Sequence, residues 1–376
     1  MRYRSFPQMP NLPISSLGFG CMRLPTVGGK AAAIDEAAAT NLIHTAIDAG
    51  VNYFDTGWPY HGENSEPFLG RAVRGKRDRI RLATKLPVWL VEKESDWERF
   101  IDAQLVKLGT DHIDFYLLHA LAGESWAKVK SLHGLRALER AKADGRLGHL
   151  GFSFHGSPSD FREIVDGYAW EFCLVQMNYL DQDYQAGLAG LRLAAERKIG
   201  VVVMEALRGG ALANVPPAVR TILGTSPRAW SPVEWALRYV WDLPGVVRVI
   251  SGMGAPAQLA ENLAIAETSI PLTSHDRAIL NETAAFFHAR MAAPCTTCGY
   301  CLPCPSGVFI PEVLSTFNSA SMFEDQTGPR FSYDTFMVKA GCGADRCIAC
   351  GECEPKCPQN IPIVDLLAKA HARLTR

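Results

Sequence analysis

Eight cysteines near the C-terminus stand in two ordered runs, Cys295, Cys298, Cys301, Cys304-Pro305 and Cys347, Cys350, Cys353, Cys357-Pro358, and nothing else in the chain restricts its folding so tightly. A [4Fe–4S] cubane needs four converging thiolates. The spacing C-x2-C-x2-C-x3-C-P delivers three from one tight loop and sends a fourth toward a neighbouring cluster. The second run has that spacing at every position, whereas the first, CTTCGYCLPCP, has two residues rather than three before Cys304. Zinc also accepts four cysteines, but zinc ribbons present separated C-x2-C pairs rather than four in one run closed by proline. Disulfides fit less well still. The chain begins MRYRSFPQMPNLPISS, without an apolar export segment, so a cytoplasmic protein with reduced thiols is expected. Of the other cysteines, Cys21 and Cys173 lie in apolar runs and read as ordinary buried thiols, and Cys342 precedes a complete ligand set, which argues against its being a ligand itself.

The formal net charge of −1 and the lack of any long Lys/Arg run argue against nucleic acid or anionic lipid as a partner. No stretch approaches the roughly 20 apolar residues of a membrane helix. A chain of 376 residues with 48% hydrophobic content has room for one large domain and one small one.

From residue 15 to about 255, short β-branched runs alternate with amphipathic stretches. The strand candidates are 16–24, 51–57, 80–86, 113–119, 147–154, 172–179, 200–207 and 247–253. Each is apolar almost throughout, which suits strands covered on both faces of a parallel sheet. Leu42, Ile43, Ala46 and Ile47, then Trp97, Ile101, Leu105 and Leu108, then Tyr184, Leu188, Leu191 and Ala195 recur at helical spacing. Eight such units predict a (β/α)8 TIM barrel. A doubly wound sheet is the alternative, but no G-x-G-x-x-G follows the first strand. The expected domains are a barrel over 1–291, closed by a helix at 274–291, and a small, mainly α-helical ferredoxin-like domain over 292–376. The second is small enough that clusters are expected to hold it together.

In such barrels the chemistry gathers where strands end. Strand ends carry Asp55, with Tyr60 just beyond, then Lys85 and His119. A charged residue in a buried strand is costly unless paired, and an Asp–Lys pair satisfies both. A lysine beside a phenol stabilises the phenolate, so a lowered Tyr60 pKa and a proton-transfer role are expected. His61, His133 and His155 fall in loops or helices and read as solvated surface.

FDTGWPYHGENSE, LATKL and DFYLLH resemble the tyrosine, lysine and histidine segments of the aldo/keto reductase family, and the similarity extends over residues 1–270. The resemblance implies that Tyr60 protonates a substrate carbonyl, Lys85 and Asp55 tune it, and His119 orients the carbonyl while a nicotinamide cofactor delivers hydride. It further implies that Ser153 and Gln176 contact the carboxamide, that Met204 stands where an aromatic residue usually stacks on nicotinamide, and that Glu261 and Asn262 lie at the adenine end. Phe154 replaces the usual asparagine after that serine. Gly252 and Gln258 occupy the positions of the cations that hold a 2′-phosphate, so NAD(H) is expected over NADP(H).

The whole arrangement is similar to aldo/keto reductase-type oxidoreductases with an appended ferredoxin-type domain. By analogy with two-cluster ferredoxins, Cys295, Cys298, Cys301 and Cys357 are assigned to one cluster and Cys347, Cys350, Cys353 and Cys304 to the other. The expected activity is reduction of a small carbonyl or oxidation of an alcohol, with a ferredoxin or other electron-transfer partner served by the clusters. The loops at 120–126 and 208–214 offer Trp126 and Arg208 to the substrate. Two other readings compete: a redox protein whose barrel only docks a partner, and an enzyme whose clusters are structural or oxygen-sensing. Nicotinamide moves two electrons as hydride and each cluster moves one, and no flavin-binding signature is visible to convert between them.

Overall fold

The computed structural model describes residues 1–295, 299–323, 326–357 and 359–375, so Cys298 and Pro358 of the two cysteine runs lie outside the described residues. The first two strands, β1 (Tyr3–Phe6) and β2 (Met9–Ser15), form an antiparallel hairpin that the sequence reading did not foresee. Eight parallel strands follow: β3 (Leu17–Gly20), β4 (Tyr53–Asp55), β5 (Arg81–Leu86), β6 (Ile113–Leu121), β7 (Leu147–Phe154), β8 (Phe172–Gln176), β9 (Gly200–Met204) and β10 (Val246–Ser251). They close into a barrel in sequence order, with β10 beside β3. All eight lie within or against the apolar runs predicted for them, because those runs are buried on both faces.

The hairpin plugs the end of the barrel where the strands begin. Phe6, Met9 and Ile14 join one core cluster with Tyr53, Phe115, Phe172 and Val202. A Cβ on Gly200 would lie 2.0 Å from the Phe6 ring, so close approach makes glycine obligatory there. The floor also holds Arg248, fully buried over the Phe6 and Tyr53 rings at 4.3 and 4.5 Å, with no hydrogen-bond acceptor among the described residues. With this end filled, the strand ends carrying Asp55, Lys85 and His119 form the accessible face.

The structure divides into two compact units. One comprises Met1–Leu212 with Val233–Leu272, and the other Ala213–Pro232 with Thr273–Arg376. The helix Ser274–His288, expected to end the barrel, groups with the cysteine region, where Phe287 rests on Phe323 at 4.6 Å. Within the second unit, helices Ile310–Met322, Thr327–Tyr333 and Ile363–Leu374 surround an apolar core that includes Val313, Leu314, Phe317, Met337 and Leu367. The Asn318 amide clamps Ala293 by accepting from its N–H at 2.8 Å and donating to its carbonyl at 2.7 Å. This core is larger than the sequence reading allowed, because the long segment between the cysteine runs supplies helices with apolar faces. Among the described residues, no helix is long and apolar enough to cross a membrane.

Candidate active site and cluster-binding loops

Parallel register puts Asp55 beside Gly20 on one side and Ala83 on the other, and Lys85 beside Leu117. Asp55 and Lys85 therefore project from neighbouring strands into the mouth. The Lys85 ammonium donates to Asp55 Oδ1 at 2.5 Å, to the Thr56 carbonyl at 2.6 Å and to the Tyr60 hydroxyl at 3.2 Å. Three acceptors use all three of its protons. Burial works against this ammonium, but the Asp55 carboxylate and the Tyr60 phenol outweigh it and hold its pKa above the ordinary lysine value. Burial likewise raises the Asp55 carboxyl, against the pull of Lys85.

For Tyr60 the balance differs from the sequence expectation. Lys85 lowers the phenol pKa as anticipated, yet burial is the larger cause and the net shift is upward. Tyr60 is thus held as a protonated donor. His119 faces it, ring centroids 5.9 Å apart, and Trp89 lies 5.1 Å from His119 on another side. Burial, then the charge of Lys85, push the His119 pKa well below the ordinary value, so the imidazole is neutral near pH 7. The His119 Nδ1 atom and Asp55 Oδ2 are buried without a hydrogen-bond partner among the described residues.

Behind the four residues lies a buried network to which the sequence reading gave no role. Gln104 donates to Glu66 and, at 3.1 Å, to the Lys85 carbonyl, while accepting from the Tyr116 hydroxyl at 2.6 Å. Thr84, next to the lysine, donates to Glu66 at 2.6 Å. The network fixes the strand that aims Lys85. His61 is no solvated surface residue: it is buried, accepts from the Leu24 N–H through Nε2 at 3.3 Å and donates through Nδ1 to the Ala31 carbonyl at 2.6 Å. It pins the Tyr60 loop, and its reach to residues 37 and 30 positions away left no local signal in the sequence. His133 is exposed, and His155 is exposed with a ring contact to Gln185 at 3.3 Å. Trp126, expected at the mouth, is instead core: it lies on helix Gly123–Ser131, buried against Trp170.

The residues expected to hold a dinucleotide stand around the same face. Ser153 Oγ accepts from the Ala120 N–H at 2.7 Å and retains its own proton to donate. Gln176 pairs in register with Met204, and its amide reaches Asp181 at 3.4 Å. Asp181 also holds Arg208 at 3.0 Å, which ties that cation down. Gln258 accepts from the Gly254 N–H at 2.9 Å. Asn262 is buried and donates to Ser251 Oγ at 2.8 Å, which anchors the helix Pro256–Glu267 that also carries Glu261. Gly252 lies against the side chain of Arg23, a residue that the sequence reading passed over.

In the second unit, Cys304, Cys347, Cys350 and Cys353 line one cavity, together with Cys301, Ile310, Val364 and Leu367. Left-handed Ala349 (φ 55°) and Gly351 (φ 76°) coil the chain tightly between the cysteines of the second run, as a loop presenting several thiolates to one body requires. Cys295, Cys301 and Cys357 pack beside the same apolar core, and none of the described cysteines is in a disulfide. Among the described residues, no three His, Cys, Asp or Glu side chains close on one metal-sized point. A lining of thiols around an apolar cavity fits a cubane, whose ligands stand on different corners.

The family model described as the aldo/keto reductase family matches residues 16–285, and the one described as a 4Fe-4S dicluster domain matches residues 294–361. YqkF, an uncharacterized oxidoreductase of Bacillus subtilis (strain 168), is 26% identical over 283 residues, 67% of this chain and 87% of that protein. The L-galactose dehydrogenase of Arabidopsis thaliana is 26% identical over 296 residues, 73% of this chain and 91% of that protein. Among solved structures, the holo form of aldo-keto reductase AKR11C1 from Bacillus halodurans superposes with a TM-score of 0.64 at 26% identity, covering 75% of this chain and 96% of that one.

Proposed function

Because the chain belongs to the aldo/keto reductase family and carries a C-terminal 4Fe-4S dicluster ferredoxin-type domain, we propose that its barrel interconverts a small carbonyl and the corresponding alcohol with a nicotinamide cofactor. In the same reading the cysteine domain holds two [4Fe–4S] clusters that exchange electrons with a ferredoxin or similar partner. The observation that carries it is the Lys85 ammonium, tied at once to Asp55, Thr56 and the Tyr60 hydroxyl.

When bound, nicotinamide supplies the hydride and the clusters supply one-electron capacity. The chain's own residues supply the proton and the alignment. Tyr60 gives its phenolic proton to the carbonyl oxygen as the alcohol forms, and the adjacent ammonium of Lys85 stabilises the phenolate left behind. Asp55 keeps that ammonium charged and in place. His119, kept neutral, orients the carbonyl against Tyr60. Ser153 and Gln176 are the residues that would hold the carboxamide, and Met204, Glu261 and Asn262 would line the rest of the dinucleotide. Cys304 would join Cys347, Cys350 and Cys353 on one cluster, with Cys295, Cys298, Cys301 and Cys357 on the other; the cavity those first four thiols line, which Cys301 also borders, is where a cluster would sit.

NADH is the proposed coenzyme, since Gly252 and Gln258 offer no cation to a 2′-phosphate. The aldo-keto reductase yakc of Schizosaccharomyces pombe, 30% identical over 38% of this chain and 43% of its own length, is named for NADP(+), so the choice calls for direct titration of both coenzymes. Anaerobic stopped-flow mixing of the oxidised protein with NADH tests the function. Nicotinamide oxidation that requires an added carbonyl supports it. Oxidation that needs no carbonyl and keeps step with cluster bleaching would assign the activity to the clusters instead.

A further inference from the structure

Phe100, Gln104 and Lys107 recur at i, i+4 and i+7 along the helix Ser95–Leu108 and so share one of its faces. That face meets the segment carrying Asp55 and Tyr60. Phe100 touches the Trp58 ring edge-on, centroids 4.9 Å apart, and Gln104 holds Glu66 and the Lys85 carbonyl. Lys107 stands in the last turn, where the helix dipole favours a cation, and left-handed Gly109 (φ 61°) closes the helix just beyond it. Its ammonium lies 3.3 Å from the centre of the Trp58 ring, 2.9 Å from Glu63 Oε2 and 3.9 Å from Glu66 Oε2. One cation thus reaches Trp58 before the tyrosine, Glu63 after it, and the buried carboxyl behind Lys85.

The turn after Tyr60 needs ties of this kind. His61, Gly62 and Glu63 are successive left-handed residues, at φ 54°, 60° and 69°. Residues other than glycine are strained in that conformation and persist in it only where surrounding contacts over-determine them. His61 is held by Leu24 and Ala31, and the Asn64 amide donates to the Ala32 carbonyl at 3.0 Å. For the Glu63 side chain the tie is Lys107. The helix that supplies it is set at close range: a Cβ on Gly70 would lie 2.3 Å from the Leu108 carbonyl oxygen, so the helix Ser65–Ala72, which continues the turn, sits directly on the end carrying Lys107.

We propose that Lys107 is a positioning residue for the barrel chemistry: by clamping Trp58 and Glu63 to a rigid helix it fixes the turn that sets the Tyr60 hydroxyl 3.2 Å from Lys85, without touching substrate or coenzyme. Its catalytic consequence rests on the carbonyl reading of the barrel; the clamp itself does not. A fully exposed ion pair would contribute little. Here the Lys107 side chain is only 21% exposed, and the Trp58 face supplies a second attraction that water does not replace. The effect on rate is larger than the effect on stability, because displacing a reacting group by about 1 Å can cost about 10²-fold.

Hydrogen exchange and steady-state kinetics on the cluster-loaded full chain test the assignment, with para-nitrobenzaldehyde and NADH as the probe pair and iron content and thermal unfolding as controls. Lys107→Met keeps the stem and removes the charge. The amides of residues 57–65, several of them bonded within the turn, should exchange faster while the other strand ends stay unchanged. The kcat should fall about ten- to hundredfold with KM and NADH affinity unaltered. In a Tyr60→Phe background the same substitution should lower the residual rate no further, since it acts through Tyr60. Lys107→Arg should restore both readouts, and Glu63→Gln should reproduce them more weakly. Unchanged exchange over 57–65 in Lys107→Met overturns the clamp. An unchanged kcat, or an equal loss in the Tyr60→Phe background, overturns the positioning role. Should Lys107→Met fail to fold, Glu63→Gln decides by the same two readouts. If exchange responds as expected while the unaltered protein turns over no carbonyl, the clamp stands and the carbonyl reading falls.

Discussion

The two ends of the chain solve the problem of placing reactive groups in opposite ways. At the barrel mouth the protein supplies the partners itself: Lys85 is saturated by Asp55, Thr56 and Tyr60, and the Glu66–Gln104–Tyr116 network holds the strand behind it. In the second unit the thiols of Cys304, Cys347, Cys350 and Cys353 border a cavity, and what would join them is an inorganic core. A preorganised polar site costs nothing to assemble at the moment of reaction, whereas a ligand shell gains its order with the metal. Proton chemistry at the mouth is therefore expected to be separable from metal loading.

The largest effect is expected at Tyr60. Tyr60→Phe should lower kcat/KM for carbonyl reduction by about 10²–10⁴-fold, the usual worth of a positioned general acid, and leave iron content and coenzyme affinity unchanged. His119→Ala should act in the same direction but less severely. The pH profile carries the same signature. Reduction requires the protonated phenol, and burial raises its pKa, so the rate should stay level from neutrality and fall only above the ordinary range of a tyrosine. Alcohol oxidation requires the phenolate and should rise over that same range. The lowered pKa of His119 predicts no break near pH 6.5 in either direction. A reduction profile that declines with a midpoint near neutrality would mean that Lys85, not burial, dominates the phenol.

The next effect falls on the other side of the comparison. Anaerobically prepared protein should contain about eight iron and eight acid-labile sulfide per chain, two four-iron cubanes. Cys350→Ser should remove or alter one cluster, with coenzyme binding at the barrel preserved. Cys357→Ser should perturb the cluster of the first run and Cys304→Ser that of the second, each visible by EPR of the reduced protein. Four irons and one zinc would sink the two-cluster reading, and loss of coenzyme binding on cluster removal would sink the separation.

Much of this was legible in the sequence because it is written locally. Barrel strands announce themselves as β-branched runs, and Asp55, Lys85 and His119 as polar interruptions at their ends. The cysteine loops are legible because three ligands of a cubane come from one turn of chain. What stayed hidden depends on partners far apart in sequence. Gln104 meets Lys85 across 19 residues and Glu66 across 38, and Arg23 meets glycines more than 180 and 220 positions away. The hairpin before the barrel was missed because its strands are short and proline-bearing, with Pro10 and Pro13 inside β2. Trp126 was misplaced because a tryptophan five residues past the end of a strand reads as mouth until the helix turns it inward.

The smallest effect, and the strictest control, concerns a charge that belongs to neither site. Arg248 is fully buried in the barrel floor among Phe6, Tyr53 and Phe115, and burial pushes its guanidinium pKa down, which means the charged form is held at a cost. Contact with ring faces returns about 2 kcal/mol when desolvated, while stranding an unpaired ion costs several. Arg248→Met keeps most of the volume and removes the charge, so it should raise stability by about 1 kcal/mol or more in urea titration, with carbonyl turnover and iron content unchanged. A net loss of stability would show that the rings and trapped water satisfy the guanidinium better than the described contacts indicate. A change in turnover would show that the floor and the mouth are coupled through the strands, and the mouth would then owe its preorganisation to more than its own hydrogen bonds.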